Sequence, residues 1–225
     1  MRSLLVLTIV CAAATAQAQT ANDRPQPRVE IDIGGGMVGG APLGSGDANI
    51  LANNPTRQPF RIFSADTRMA RAGALHARAG VALSRRVGVE GGVVLGHPEV
   101  RTSLSADVES APSLTVVERI DQYFFEASVI VMFEEWRVGR GTVPFAAAGA
   151  GYLRQLHEGL TVVEQGHLYH VGGGVKHWLV ARDRGRVRTA GLRADARLYV
   201  LARGVSLDEG PRPHAAISGS VFVGF

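Results

Sequence analysis

The chain has 225 residues, 46% apolar and 6% aromatic, with 28 Gly, 10 Pro and one Cys, a size that suits one domain or at most two. Charged residues make up 20% and the formal net charge is +4, too small an imbalance for a nucleic-acid binder or a charged disordered tail. Of the 24 basic residues all but Lys176 are Arg, a bias to which no function is assigned.

Residues 1–18 read as a cleaved signal peptide: Arg2 is the positive start, Leu4 to Ala14 the apolar stretch, and Ala16-Gln17-Ala18 the small-residue cleavage site. A short periplasmic segment, 19–27, then precedes one barrel domain over 28–225. Cys11 lies inside the signal, and Thr8, Ile9 and Val10 before it lack a lipoprotein pattern. An exported chain without cysteine excludes disulfide scaffolds, thiol nucleophiles and thiolate metal sites. No later stretch reaches about 18 consecutive apolar residues, so a spanning form of this protein has only the closed β-barrel open to it.

Eight strands are predicted in order, over 29–37, 75–83, 87–96, 122–133, 143–154, 168–179, 192–200 and 214–225. The fourth is the clearest. Tyr123, Phe125, Ala127, Val129, Val131 and Phe133 form one wholly apolar face, while Phe124, Glu126, Ser128, Ile130 and Met132 form the other. Aromatic residues at both ends of the apolar face and aliphatic ones between them suit a strand of about 11 residues crossing a bilayer. In the seventh, Leu192, Ala194, Ala196, Leu198 and Val200 alternate with Arg193, Asp195, Arg197 and Tyr199. The connections 38–74 and 97–121 read as long polar loops and 84–86 as a tight turn. Those at 134–142, 155–167 and 202–213 are moderate, and 182–186 is unusually basic. The asymmetry puts long loops on one side and short turns on the other.

Alternation alone fits either a membrane barrel with its apolar face outward or a soluble lipocalin-like barrel with that face inward. The polar face decides between them. It carries Glu30, Asp32, Arg78, Glu90, Glu126, Lys176, Arg193, Asp195 and Arg197, roughly one charge per strand among many Gly, Ala and Ser, sparser than a solvated exterior. Five acids and four bases suit a narrow lumen of paired charges. A channel wall would carry an excess of one sign.

The last strand places Ile217, Gly219, Val221, Val223 and Phe225 at alternating positions. This pattern resembles the C-terminal signature of bacterial outer-membrane barrels, and the chain as a whole resembles the small eight-stranded barrels of the OmpA, OmpX, OmpW and opacity-protein type. The resemblance implies an all-β, antiparallel, up-and-down transmembrane barrel in the outer membrane with periplasmic termini. It also implies contact with outer-membrane lipid and lipopolysaccharide, and recognition of Ile217, Val221, Val223 and Phe225 by the barrel-assembly machinery. The expected role is structural or one of surface interaction, with an extracellular partner the sequence does not name. The alternatives are a narrow porin-like channel and a soluble ligand-binding barrel.

No catalytic, cofactor or metal site is nominated. Gly34, Gly36 and Gly39 fit a dinucleotide-binding spacing, but 41–46 read as a loop where that motif requires a helix. His157, Glu158, His167 and His170 bracket one hairpin with only generic metal-ligand spacing. The chain has neither a G-x-S-x-G elbow nor the His-x-Ser arrangement of lipid A deacylases, since Val171-Gly172 follow His170 and Trp178-Leu179 follow His177. The arginines of the basic turn face the phospholipid headgroups in this reading, and Arg61, Arg68, Arg71, Arg101 and Arg119 fall in or beside the long loops.

Overall fold

A computed structural model describes residues 28–51, 59–105, 112–139, 141–157, 162–182, 184–203 and 212–225. The expected signal peptide and N-terminal segment lie outside the described residues. Eleven strands are present: β1 (Val29–Val38), β2 (Ala41–Leu51), β3 (Pro59–Met69), β4 (Ala72–Ala82), β5 (Val87–Gly96), β6 (Glu99–Ser105), β7 (Leu114–Met132), β8 (Thr142–His157), β9 (Val163–Ala181), β10 (Thr189–Arg203) and β11 (Arg212–Gly224).

Eight of them, β1, β4, β5, β7, β8, β9, β10 and β11, pair antiparallel in that order, and β11 returns to β1 to close a barrel. Closure leaves no barrel strand with an open edge. These eight correspond one to one with the strands expected from alternation. At the Ser84 turn the Leu83 and Ser84 amides donate to the Val87 carbonyl, and Ser84 Oγ accepts from the amides of Arg86 and Val87.

The expectation for 38–74 and 97–121 needs correction, because these connections are largely β-structure. Strands β2, β3 and β6 pair in the order β2–β3–β6 with Leu114–Arg119 of β7, extending one end of the barrel as a four-stranded sheet. Residues 41–46, read as a loop, open β2. Two register shifts, at Pro42/Gly44 and Ala48/Asn49, break the period of two, and residues 114–117 are exposed at every position. A sheet with water on both faces needs no apolar alternation, so it leaves none to read. Where this extension meets the barrel, Leu43, Met69, Val100 and Ile120 bury together.

The barrel wall faces outward with its apolar side. Ile33, Leu75, Ile217 and Val221 are each more than half exposed, whereas Asp32, His76, Arg78, Ser220 and Phe222 at alternate positions of the same strands are buried. One end of the barrel holds the short connections 83–86, 133–141 and 182–188 together with the start of β1 and the end of β11. The other end holds the four-stranded extension, the end of β8 and start of β9, and the end of β10 and start of β11.

Candidate functional site

The lumen is filled in three layers. Nearest the short turns, Ile130, Phe145 and Ala147 cluster with Met132, and Phe222 is fully buried against Trp178 at 5.8 Å between ring centroids. Nearest the extension, Val94, Phe124, Leu153, Leu168, Tyr199 and Leu201 form a second apolar layer. The charges lie between them.

Period two puts Arg193, Asp195 and Arg197 of β10 on one inward row, and the opposite strands supply their partners. Arg193 is bidentate to Glu90 at 2.7 and 3.1 Å, reaches Asp32 at 3.1 Å and Asp195 at 2.9 Å, and lies over the Phe145 ring at 4.7 Å. Arg197 donates to Glu90 and Glu126, each at 2.7 Å, and lies 3.4 Å from Asp195. Arg78 donates to Asp195 at 3.1 Å and Glu126 at 3.3 Å and stands 3.8 Å from Asp32. Three guanidiniums and four carboxylates from β1, β4, β5, β7 and β10 thus form one connected group. Glu30 and Lys176 pair separately, nearer the turns, with Lys176 also over the Phe222 ring at 5.4 Å. All nine residues nominated from sequence face the lumen, seven in the central group and two in that outlying pair.

Several members carried no charge for the sequence to reveal. Tyr199 donates its hydroxyl to Glu126 at 2.9 Å, and Ser218 donates to Asp195 at 3.0 Å. His76 Nε2 lies 3.5 Å from Asp32, and its place was legible, since it stands two residues before Arg78 on the same strand face. Ser128 Oγ and His170 Nε2 are 3.1 Å apart, with Glu126 at 3.9 Å from the same ring nitrogen. This trio is not arranged as a hydrolytic triad. The acid shares Nε2 with the serine instead of orienting the ring through Nδ1, and both Ser128 and His170 are buried.

Glycines provide the room for these long side chains. A Cβ on Gly92 would fall 2.7 Å from Arg78 Cγ, and one on Gly172 would run into the Ala196 backbone carbonyl and fall 2.9 Å from both the Cα and Cγ of Arg197. Gly172→Val should therefore push against the β10 backbone at Ala196, displace Arg197 and lower stability by about 1–3 kcal/mol. The urea midpoint of the refolded barrel reads this directly; an unchanged midpoint would mean that neither the β10 backbone nor Arg197 needs the space.

The histidine group considered for a metal is dispersed. His157 pairs with Glu118 at 2.7 Å, His167 is exposed on the outer wall, and His170 points into the lumen, while Glu158 lies outside the described residues. No group of three metal-ligating side chains forms among the described residues. Gly34 and Gly36 sit within β1, paired to β11. Among the outlying arginines, Arg61 lies 3.8 Å from Asp47 and Arg101 pairs with Glu99 at 2.9 Å. Ile217, Val221 and Phe225 are exposed on the outer wall and Val223 is partly so, and the Phe225 amide donates to the Val29 carbonyl at the β1 seam.

The chain matches no protein-family model and no curated protein. Among solved structures it is similar to Neisserial surface protein A, with a TM-score of 0.51, 14% identity and coverage of 87% of this chain and 97% of that one. A looser likeness is to OprG of Pseudomonas aeruginosa, with a TM-score of 0.44, 11% identity and coverage of 88% and 95%. In fold, this chain is a small eight-stranded up-and-down barrel of the outer-membrane type.

Proposed function

We propose that the protein is an integral outer-membrane barrel with a plugged lumen, whose role is structural or one of surface contact through the four-stranded extension. The observation that carries the plug is the layered interior: Arg78, Arg193 and Arg197 meet Asp32, Glu90, Glu126 and Asp195 in mid-barrel, with apolar side chains above and below. An eight-stranded barrel is just wide enough for its side chains to fill, and charges so enclosed are held in place by their mutual pairing. Membrane residence is supported by the outward row of Ile33, Leu75, Val129, Ile217 and Val221.

In this reading the outer wall meets lipid, the extension meets lipopolysaccharide on the cell surface, and the outward residues Ile217, Val221, Val223 and Phe225 are the row the assembly machinery engages. The protein reaches the membrane by export on its signal peptide, and it carries out no catalysis.

Planar-bilayer recording tests the plug against the channel alternative. The wild-type barrel should give no sustained single-channel conductance, whereas a variant with Arg78, Arg197 and Glu126 all replaced by Ala should conduct. Steady wild-type conductance would replace the plug with a narrow pore. Membrane residence has its own test in envelope fractionation combined with heat-dependent gel migration, and a soluble periplasmic protein without a heat shift would favour a ligand-binding barrel.

A further inference from the structure

Charge is unevenly divided between the two ends. On the short-turn rim, Glu134 and Glu135 are engaged by Arg137 and Arg86. Arg28, Arg182, Arg184, Arg186 and Arg188 stand exposed on the same rim without a carboxylate partner among the described residues. Asp183 lies in that turn but outside the described residues. Arg188 is tied to the seam by its amide, which donates to the Gly224 carbonyl, and Arg182 by its amide, which donates to the Arg188 carbonyl. The arginines thus gather beneath β9, β10, β11 and β1.

Directly above them on the outer wall, the same four strands carry a shallow groove that is largely open to the outside. Its floor is Ala194 and Gly219, and its sides are Ile33, Val175, Leu192 and Val221. A Cβ on Gly219 would meet nothing closer than 3.9 Å, so the gap is open to the outside and not filled by a neighbour. Val221, Leu192 and Ile33 lie three or four residues from the rim ends of their strands. At roughly 3.3 Å per residue and the usual tilt, that height is about 10 Å, the depth of acyl chains beneath one leaflet's headgroups.

From this juxtaposition we infer a binding site for one anionic phospholipid of the inner leaflet, its phosphate on the arginine rim and one acyl chain in the Gly219 groove. The inference rests on the outer-membrane reading above, which turns this rim toward the periplasm. Charge complementarity selects the lipid. Guanidiniums bind phosphate oxygens in pairs, each basic group adds attraction to an anionic surface, and the groove supplies branched apolar walls to a chain. A zwitterionic lipid offers the same chains with no net charge, so headgroup sign separates the two.

The test uses the full-length protein refolded in neutral detergent, with heat-dependent gel migration checked for every variant. Phosphatidylglycerol or phosphatidylcholine is then titrated in, and native mass spectrometry counts the retained lipids. The wild type should keep one phosphatidylglycerol in preference to phosphatidylcholine. Replacing Arg182, Arg184, Arg186 and Arg188 with Gln should cut that retention at least about tenfold. Gly219→Leu, which fills the groove and leaves the rim untouched, should weaken retention of both lipids.

Equal retention of the two lipids by a heat-shifting wild type would overturn the site while leaving the barrel reading intact. Loss of the heat shift in the wild type itself would remove the barrel reading and the site with it. Unchanged phosphatidylglycerol retention by Gly219→Leu would overturn the groove as its seat. A dimer that Gly219→Leu dissolves would give the groove to a second copy of the chain instead.

Discussion

Arg193→Met should be the most damaging single change in the lumen, lowering stability by about 3–5 kcal/mol and leaving little heat-resistant barrel. The guanidinium of Arg193 is fully enclosed and touches three carboxylates, those of Asp32, Glu90 and Asp195, while stacking on Phe145. Without it, four buried carboxylates face only Arg78 and Arg197. Met keeps much of the apolar stem, so the loss reflects charge and hydrogen bonding more than a cavity. Adding Glu90→Gln removes one of the stranded acids and should recover part of the loss, a coupling that a double-mutant cycle in urea would measure. A loss below about 1 kcal/mol for Arg193→Met would mean that water reaches the group freely, and the plug would fail with it.

Val129→Arg separates the membrane barrel from its soluble mirror image. Val129 is 40% exposed on the outer face of β7, paired across to Val89 and Ala148 and three residues from the short-turn end of the strand. Facing lipid, an Arg there costs up to about 2–4 kcal/mol, the midplane value, and the variant should be impaired in reaching a heat-shifting state in vesicles. Facing water, the same change would fall within about 0.5 kcal/mol. Val117→Arg, in the four-stranded extension beyond the wall, is the matched control and should assemble normally. Equal assembly of the two variants would reverse the facing of the whole barrel.

The eight barrel strands were legible because each turns one apolar face outward and puts its charges on the other, and that difference writes a period of two into the sequence. Val129 and Glu126 could be assigned to opposite faces from β7 alone, and the sparse, sign-balanced charges of the polar faces taken together turned Glu126 inward. Asp32, Arg78 and Arg197 could be assigned to a common interior because parity along each strand leaves them no other side. The four-stranded extension was not legible for the opposite reason: β2 is bulged and Gly-containing, and Leu114 to Val117 are exposed on both faces, so neither carries an alternating signal.

Local alternation and the cost of burying unpaired charge therefore fixed the eight barrel strands, the residues that share a face and the composition of the interior. Which charges meet depends on the closed wall. Glu90 and Arg193 are 103 positions apart in the chain and come together because strand tilt and register set their height around a closed wall. The same stagger brings Gly172 under Arg197, sandwiches the charges between apolar layers, and sets the arginine rim beneath the Gly219 groove. Heights around a closed barrel depend on all eight registers at once, so no single strand's pattern contains them.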